Sequence, residues 1–331
     1  MSTDSSNDSS RLPPTSATAA PGSPPGPSPT PSAKINLSFS EYVAARKGLS
    51  AARSREGAAY AYAGDLKVRQ ALGRIRPVTL AAEAAVRFWQ TVEKSRMLGT
   101  AVKVTDKQFP NLNKLAARCA ETLQIAAPTL YVSPNIGSLN AHTFGTTDDA
   151  YIVLNAALID HLSEPELLDV IGHECGHIQN DHAVYLTTLY FLSHAGGTLL
   201  RWGAKPATLA LKAWARRAEI TCDRTGLLCT RDLDVSIGCL VKLALGSQKL
   251  YSAINLDEYL RQLDEARGPG RFDELSRTHP YLPKRVAALR LFAQTTYFKS
   301  LVKGNTDADP VGGISKEECD AQVSELLTVL R

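Results

Sequence analysis

The sequence predicts a mainly helical α+β domain with one small sheet. Three observations carry this reading. Helical apolar spacing fills most of the chain after residue 38. Three short stretches between residues 129 and 154 have the alternation, or the β-branched and aromatic content, of strands. An amphipathic helix, Ser163 to about Ile178, follows the sheet and holds the densest chemistry in the chain. Helix, small sheet, then helix is an α+β order.

Composition bounds the rest. The chain has 331 residues, 44% of them hydrophobic, which is enough for a soluble protein with a real core. The net charge of +4 comes from scattered Lys and Arg. It makes no case for nucleic acid, and no basic-aromatic stripe or nucleic-acid motif is present. Six cysteines, at 119, 175, 222, 229, 239 and 319, form no C-x-x-C pair. With no signal-like apolar segment at the start, reduced thiols and a cytoplasmic protein are expected.

In chain order, residues 1–34 are mostly Ser, Pro, Thr, Ala and Gly. They cannot bury enough apolar surface to offset ordering entropy, so a disordered tail is expected, either a flexible tether or a Pro-rich recognition segment. Residues 35–107 read as an N-terminal helical segment without visible chemistry. It has a capping-box pattern at Ser38-Phe39-Ser40-Glu41, helical composition over 41–72, and a helix from about Leu80 to Leu98. The main domain is expected over 108–300. A helix from Pro110 to about Gln124 places Leu112, Leu115, Ala116, Cys119 and Leu123 on one side. Strands are expected at Thr129–Val132 and Ala150–Leu154, with an exposed third strand over Asn140–Gly145. An unpaired strand edge can bind an extended peptide, so Asn140 and Ala141 are candidate substrate-binding residues. His142 reads as ordinary strand-edge chemistry.

The helix after the sheet begins at Ser163-Glu164-Pro165-Glu166, a capping box with Pro tolerated in the first turn. It contains His173-Glu174-Cys175-Gly176-His177, which is H-E-x-x-H. Residues four apart lie about 40° from each other on a helix, so both imidazoles can reach one metal ion. Glu174, beside them, can take a proton from a water at that ion. The bland alternative is a helix with two satisfied surface histidines. Cys175 sits about 160° from His177 and is expected to pack inward.

A catalytic zinc site commonly has three protein ligands. A third histidine six residues past His177 is ruled out, because that position is Ala183. On a continuous helix His182 lies about 180° from His173, so it could approach the site only if the helix breaks. It reads as a helix-end or supporting residue. Glu219 is the better candidate. It lies in a helix over Ala213–Arg224 and shares a face with Asp223, four residues on. A ligating histidine usually gives its other N–H to a carboxylate, which suits Asp223. Alone, E-x-x-x-D would be a surface pair on a charged helix. Downstream of H-E-x-x-H it reads as a ligand and its support.

H-E-x-x-H followed some 40 residues later by E-x-x-x-D resembles the gluzincin peptidases of the HtpX and CAAX prenyl protease type 1 kind, metallopeptidase family 48. Asn140-Ala141 with Phe144-Gly145 resembles the family's edge segment, and Ile152-Val153-Leu154 with Leu158 the strand and helix before its metal helix. Thr278-His279-Pro280 with Arg285 resembles its S-T-H-P…R-I segment. Coverage runs from about residue 108 to 295. Cys222 departs from the pattern, which commonly has Ala there. The resemblance implies a zincin-like domain with one Zn2+ per chain on His173, His177 and Glu219, and Glu174 as the base. It implies a role for Asp223 near the metal, as support or proton donor, and places His279 near the cleft, where it could steady an oxyanion. His279 also reads as a helix-start residue before Pro280.

Ala183 to Leu200 is an apolar run of 18 residues, at the lower limit for a membrane span. It lies between His177 and Glu219, and one crossing would separate them. No spanning helix is expected, and peripheral membrane contact remains open. Helices are also expected at Leu227–Leu245, Leu256–Leu263 and Lys284–Phe292. A linker over Gly304–Gly313 and a helix from Ile314 to Leu330 make up 301–331. The expectation is a zinc metalloendopeptidase acting on polypeptide bound as an extended strand. The competing readings are a catalytically inactive, zinc-stabilised peptide-binding module of the same fold, and a purely structural helical protein.

Overall fold

The first described helix, α1 (Ala63–Leu72), follows the buried residues Tyr60 and Tyr62. The computed structural model describes residues 58–145, 149–194, 198–265, 269–303 and 312–328. The expected tail over 1–34, the helix predicted from Ser38 and most of the Gly304–Gly313 linker lie outside the described residues. α2 (Arg76–Phe88), a π-helical turn (Trp89–Glu93) and α3 (Lys94–Thr100) run on where the sequence predicts one helix from Leu80. The earlier start has a local cause, because proline in the first turn is pre-set for helix. β1 (Val102–Lys103) is a two-residue strand that no sequence pattern announces.

α4 (Pro110–Leu123) buries Leu112, Leu115, Ala116, Cys119 and Leu123, the apolar face expected of it. β2 (Thr129–Ser133), β3 (Ala141–Gly145) and β4 (Ala150–Asn155) complete a four-stranded sheet in the order β1-β2-β4-β3. β2 and β4 are parallel, and β3 runs antiparallel to β4 with Thr143 opposite Ile152. β3 is therefore an edge strand, as the sequence suggested. Thr143 itself is buried against the helix layer.

α5 (Ala156–His161) leads to α6 (Glu164–Gln179), which carries H-E-x-x-H. The Glu166 carboxylate accepts the Ser163 backbone N–H at 2.9 Å and pairs with Lys242 at 2.7 Å. This fixes the start of α6 with a capping interaction and an ion pair. At the other end Asn180 donates to the Gly176 carbonyl at 2.9 Å and Asp181 turns left-handed, φ 57°. The chain folds back on itself there. His182 N–H donates to the His177 carbonyl, and the His182 ring returns beside His177.

α7 (Ala183–His194) and α8 (Thr198–Thr230) follow. The apolar run Ala183–Leu200 is divided between them, and no described helix is long and apolar enough to cross a membrane. α8 reaches well beyond the expected Ala213–Arg224 at both ends. The helix expected over Leu227–Leu245 is cut in two. Arg231 adopts φ 57° and the Asp232 carboxylate caps α9 (Leu233–Leu245), accepting the Asp234 and Val235 N–H groups at 3.0 and 3.1 Å. The short α10 (Gln248–Tyr251), α11 (Leu256–Glu265), a 3-10 segment (Pro269–Ser276), α12 (Leu282–Ala293), α13 (Thr296–Lys303) and α14 (Lys316–Leu326) complete the fold.

One apolar cluster joins the sheet to α4, α6, α8, α9 and α12, and it includes Tyr60, Tyr62 and Val323 from the two ends of the described chain. Buried Arg224 on α8 ties these ends together, donating to the Tyr60 carbonyl at 3.0 Å and to Asp320 at 2.7 Å. Mainly helical with one small sheet, the domain has the predicted α+β class.

α6 and α8 pack with their backbones unusually close. A Cβ on Gly172 would lie 2.9 Å from Cys229 Sγ, and one on Gly226 would lie 2.7 Å from Asp169 Oδ1. A Cβ on Gly176 would overlap Thr225 Oγ1 and reach 3.2 Å from the Cys222 Cα. Gly99, on α3, has open space around it. Gly176→Ala is expected to destabilise the fold by about 1–3 kcal/mol through overpacking. Gly99→Ala should be neutral or slightly stabilising. Thermal melts of the two variants check this, and equal melting temperatures would contradict the tight seam.

Candidate active site

H-E-x-x-H lies on the buried part of α6, facing α8 across the glycine seam. His173 and His177 point the same way, their ring centroids 5.1 Å apart. Glu219 on α8 rises between them. Its Oε2 lies 3.5 Å from His173 Nε2, and its Oε1 lies 3.6 Å from His177 Nε2. Edges between zinc ligands about 2.0–2.2 Å from a tetrahedral ion are about 3.3–3.6 Å. Each imidazole Nε2 thus stands from the carboxylate at the spacing of neighbouring ligands on one metal.

A second observation supports that fit. Glu219 Oε2 is buried and accepts no hydrogen bond, although Arg285 Nη2 lies 3.2 Å away and His279 Nε2 3.4 Å away. A buried carboxylate oxygen is costly without a facing cation, a role that Arg285 would share with a bound metal. Burial works to raise the Glu219 pKa. The nearby His279, Arg285 and His173 outweigh it and hold the carboxyl well below its usual range. Nitrogen, nitrogen and carboxylate form a donor set suited to zinc.

Cys222 competes for the same role. Single ligand atoms of His173, His177 and Cys222 lie within 4.8 Å of one another. The sulfur, however, sits 3.2 Å from His177 Nδ1, on the opposite side of the ring from the nitrogen that meets Glu219. One imidazole cannot direct both nitrogens at one ion. Burial, with Glu219 and Asp65 nearby, holds the Cys222 thiol well above its ordinary pKa. His173, His177 and Glu219 form the set in which both ring Nε2 atoms face the carboxylate.

Each imidazole is held from behind. Asp223 Oδ1 lies 3.1 Å from His173 Nδ1, and Arg285 donates to both Asp223 oxygens at 2.6 and 2.9 Å. Burial favours a neutral Asp223. Arg285 and His173 overcome it, so the carboxyl stays below its usual pKa. In the metal-free protein burial also opposes charge on His173, yet Asp223 and Glu219 hold its pKa up at about 10. His177 differs. Burial dominates, and its pKa falls well below the ordinary value.

Glu174 lines the same cleft and reaches toward the sheet. The Thr143 hydroxyl on β3 donates to its Oε2 at 2.6 Å. Burial raises its pKa above that of a free carboxyl, against His173 and the Thr143 hydrogen bond. His279, ahead of α12, lies with Nε2 3.4 Å from Glu219 Oε2 and is about half exposed. A cleft of about 900 Å3 opens over the group, lined on one side by Asn140, Ala141, His142 and Phe144 of the β3 edge and on the other by Thr278, His279 and Tyr281.

Of the residues predicted from the sequence, His173, Glu174, His177, Glu219, His279 and the more peripheral Asn140 and Ala141 line one cleft, while Asp223 sits behind it against His173. Sequence reasoning missed Thr143, Asp65 and the contacts of His182 and Cys222. Thr143 was within reach, because it is two residues from Ala141 and so on the same strand face. The sequence reads His182 as a helix-end or supporting residue, and the break at Asn180 brings it against His177.

A helix presenting two imidazoles, a second helix supplying a carboxylate, and a sheet edge along the cleft define a zincin-like metallopeptidase domain. Residues 106–293, more than half of the chain, match peptidase family M48. The chain belongs to that family. Among its relatives is the plastoglobule-localized metallopeptidase 48, chloroplastic, of Arabidopsis thaliana, 33% identical over 219 residues. The match takes in 62% of this chain and 63% of that relative, so the chain spans less than two thirds of that protein's length. Protease HtpX homologs of Streptococcus pyogenes, serotypes M28 (strain MGAS6180) and M3 (strain SSI-1), are 24% identical over 246 residues, covering 62% of this chain and 82% of theirs. No solved structure gives a significant match.

The protonation pattern has a measurable consequence. At pH 6.5 the metal-free site carries a proton on His173, since its pKa stands near 10, while His177 is neutral and Glu219 ionised. Zinc must displace that one proton. Titrating zinc into metal-free protein should release about one proton per site, read with a pH indicator in weak buffer. Apparent affinity should rise with pH below about 10. Zinc uptake without proton release would contradict this pattern.

Proposed function

We propose that this protein is a zinc-dependent metalloendopeptidase that hydrolyses peptide bonds, with His173, His177 and Glu219 holding the metal and Glu174 as general base. The observation that carries the reading is the buried Glu219 carboxylate at the floor of the cleft, its Oε2 3.5 Å from His173 Nε2 and its Oε1 3.6 Å from His177 Nε2. When bound, zinc supplies Lewis-acid polarisation of the scissile carbonyl and lowers the pKa of the attacking water.

The chain's own residues do the remaining work. Glu174 takes the water proton and later delivers it to the leaving amine. Its raised pKa suits both halves of that task, because the carboxyl holds a proton more readily than a free carboxyl does. The Thr143 hydroxyl aims the carboxylate by donating to Oε2 and leaves the other oxygen for the water. Asp223 accepts the His173 Nδ1–H and keeps Nε2 turned to the metal. Asp223 stays ionised against Arg285, which favours this supporting role over proton donation. His279 stands across the cleft floor, within reach of an oxyanion formed there.

The polypeptide lies extended along the β3 edge, where Asn140 and Ala141 offer backbone groups to an added strand. We place the domain core at 108–300, with 35–107 and 301–331 as flanking segments and 1–34 as a tail. All six cysteines are free thiols, the usual state in a reducing cytoplasm, and substrate is soluble or surface-presented polypeptide.

Glu174→Gln preserves shape and leaves the three ligands in place. The variant should bind zinc as the unaltered protein does and lose about 10²–10⁴-fold in peptide hydrolysis. A fluorogenic-peptide or casein assay, run with and without chelator, measures it. Full-rate cleavage by the variant contradicts the mechanism. Zinc binding with no cleavage by the unaltered protein would favour the inactive peptide-binding module.

A further inference from the structure

Behind His177 lies a chain of buried polar groups that the hydrolytic reading leaves unused. His177 Nδ1 is 3.1 Å from His182 Nδ1, and His182 Nε2 is 3.0 Å from Asp65 Oδ2. His182 has no exposed surface and Asp65 almost none. Asp65 is held in turn by Trp214 Nε1, which donates to Oδ1 at 2.9 Å, and by the Thr221 hydroxyl, which donates to Oδ2 at 2.8 Å. A buried carboxylate with three donors aimed at it is a built feature.

Hydrogen positions along this chain follow from one requirement. If His177 Nε2 is a metal ligand, a neutral His177 must carry its proton on Nδ1. That N–H then donates to His182 Nδ1. A neutral His182 accepting there carries its own proton on Nε2, which donates to Asp65. Each group has one complementary state, and all of them agree. Cys222 Sγ also lies 3.2 Å from His177 Nδ1, but a thiol sulfur is a weak acceptor beside an imidazole nitrogen.

We propose that Asp65 and His182 are positioning residues for the zinc site, a carboxylate–imidazole relay that fixes the tautomer and ring angle of His177. This rests on the zinc reading of His173, His177 and Glu219. It extends the site to α1, because Asp65 lies before the residues that match the family. His173 is oriented directly by Asp223, whereas His177 is oriented through the nearby His182 by Asp65, from a different part of the chain. The two ligands thus depend on different elements.

The test is zinc affinity of the full-length protein, measured by competition with a chromophoric chelator. Metal-free melts check that each variant folds. His182→Leu removes the acceptor for the His177 N–H and should weaken zinc binding by about 10- to 100-fold. His182→Gln keeps a carbonyl acceptor and should stay within a few-fold of the unaltered protein, a rescue that mere space-filling does not explain. Equal affinity in the leucine variant, or equal loss in both variants, overturns the relay. If the leucine variant does not fold, Asp65→Asn carries the test. It keeps the shape but removes the charge that holds His182, so several-fold weaker binding is expected and unchanged affinity overturns the proposal. Failure of the unaltered protein to bind zinc would strike the zinc reading itself and is distinct from either result.

Discussion

The closeness of two helix backbones sets the geometry of this protein. Gly172 and Gly176 on α6 meet Cys229, Cys222 and Thr225 of α8, and Gly226 on α8 meets Asp169 of α6, at separations where added methyl groups would not fit. A glutamate side chain is short compared with a helix diameter. Only at this spacing can Glu219 reach between His173 and His177 from the neighbouring helix. The Glu166 cap, the break at Asn180 and the Arg224 ties to both ends of the described chain hold α6 and α8 in that register.

Electrostatics makes the same group costly without an ion. Glu219, Asp223 and Glu174 crowd one buried volume against Arg285 and His173. In the absence of metal a proton on His173 balances the charge. A divalent cation would replace that proton and also face Glu219 Oε2, a buried oxygen that accepts no hydrogen bond among the described residues. The site resembles a cation receptor more than a stabilising ion-pair network, because buried pairs of this kind contribute little to folding once desolvation is counted.

Much of this was legible in the sequence. The α6 cap, the shared face of His173 and His177, the β3 edge and the pairing of Glu219 with Asp223 all follow from local spacing, which one chain displays directly. What escaped depends on tertiary structure. Asn180 and Asp181 are residue types that tolerate a left-handed turn, but spacing alone does not say that the reversal returns His182 to touch His177. Asp65 sits in a short helix with no motif around it, and only folding brings it to His182. The helix expected over Leu227–Leu245 failed for a local reason, since Asp232 prefers to cap α9 and stops α8 at Thr230. The glycines of the seam are visible in the sequence, but their purpose appears only when the facing helix is known.

The coordination shell of the zinc-loaded protein tests the central claim most directly. Zinc X-ray absorption fine structure separates nitrogen and oxygen ligands at about 2.0–2.2 Å from a sulfur ligand at about 2.3 Å. His173, His177 and Glu219 around the ion predict a shell of nitrogen and oxygen alone. A sulfur contribution would assign Cys222 to the metal, displace Glu219 and contradict the site described above.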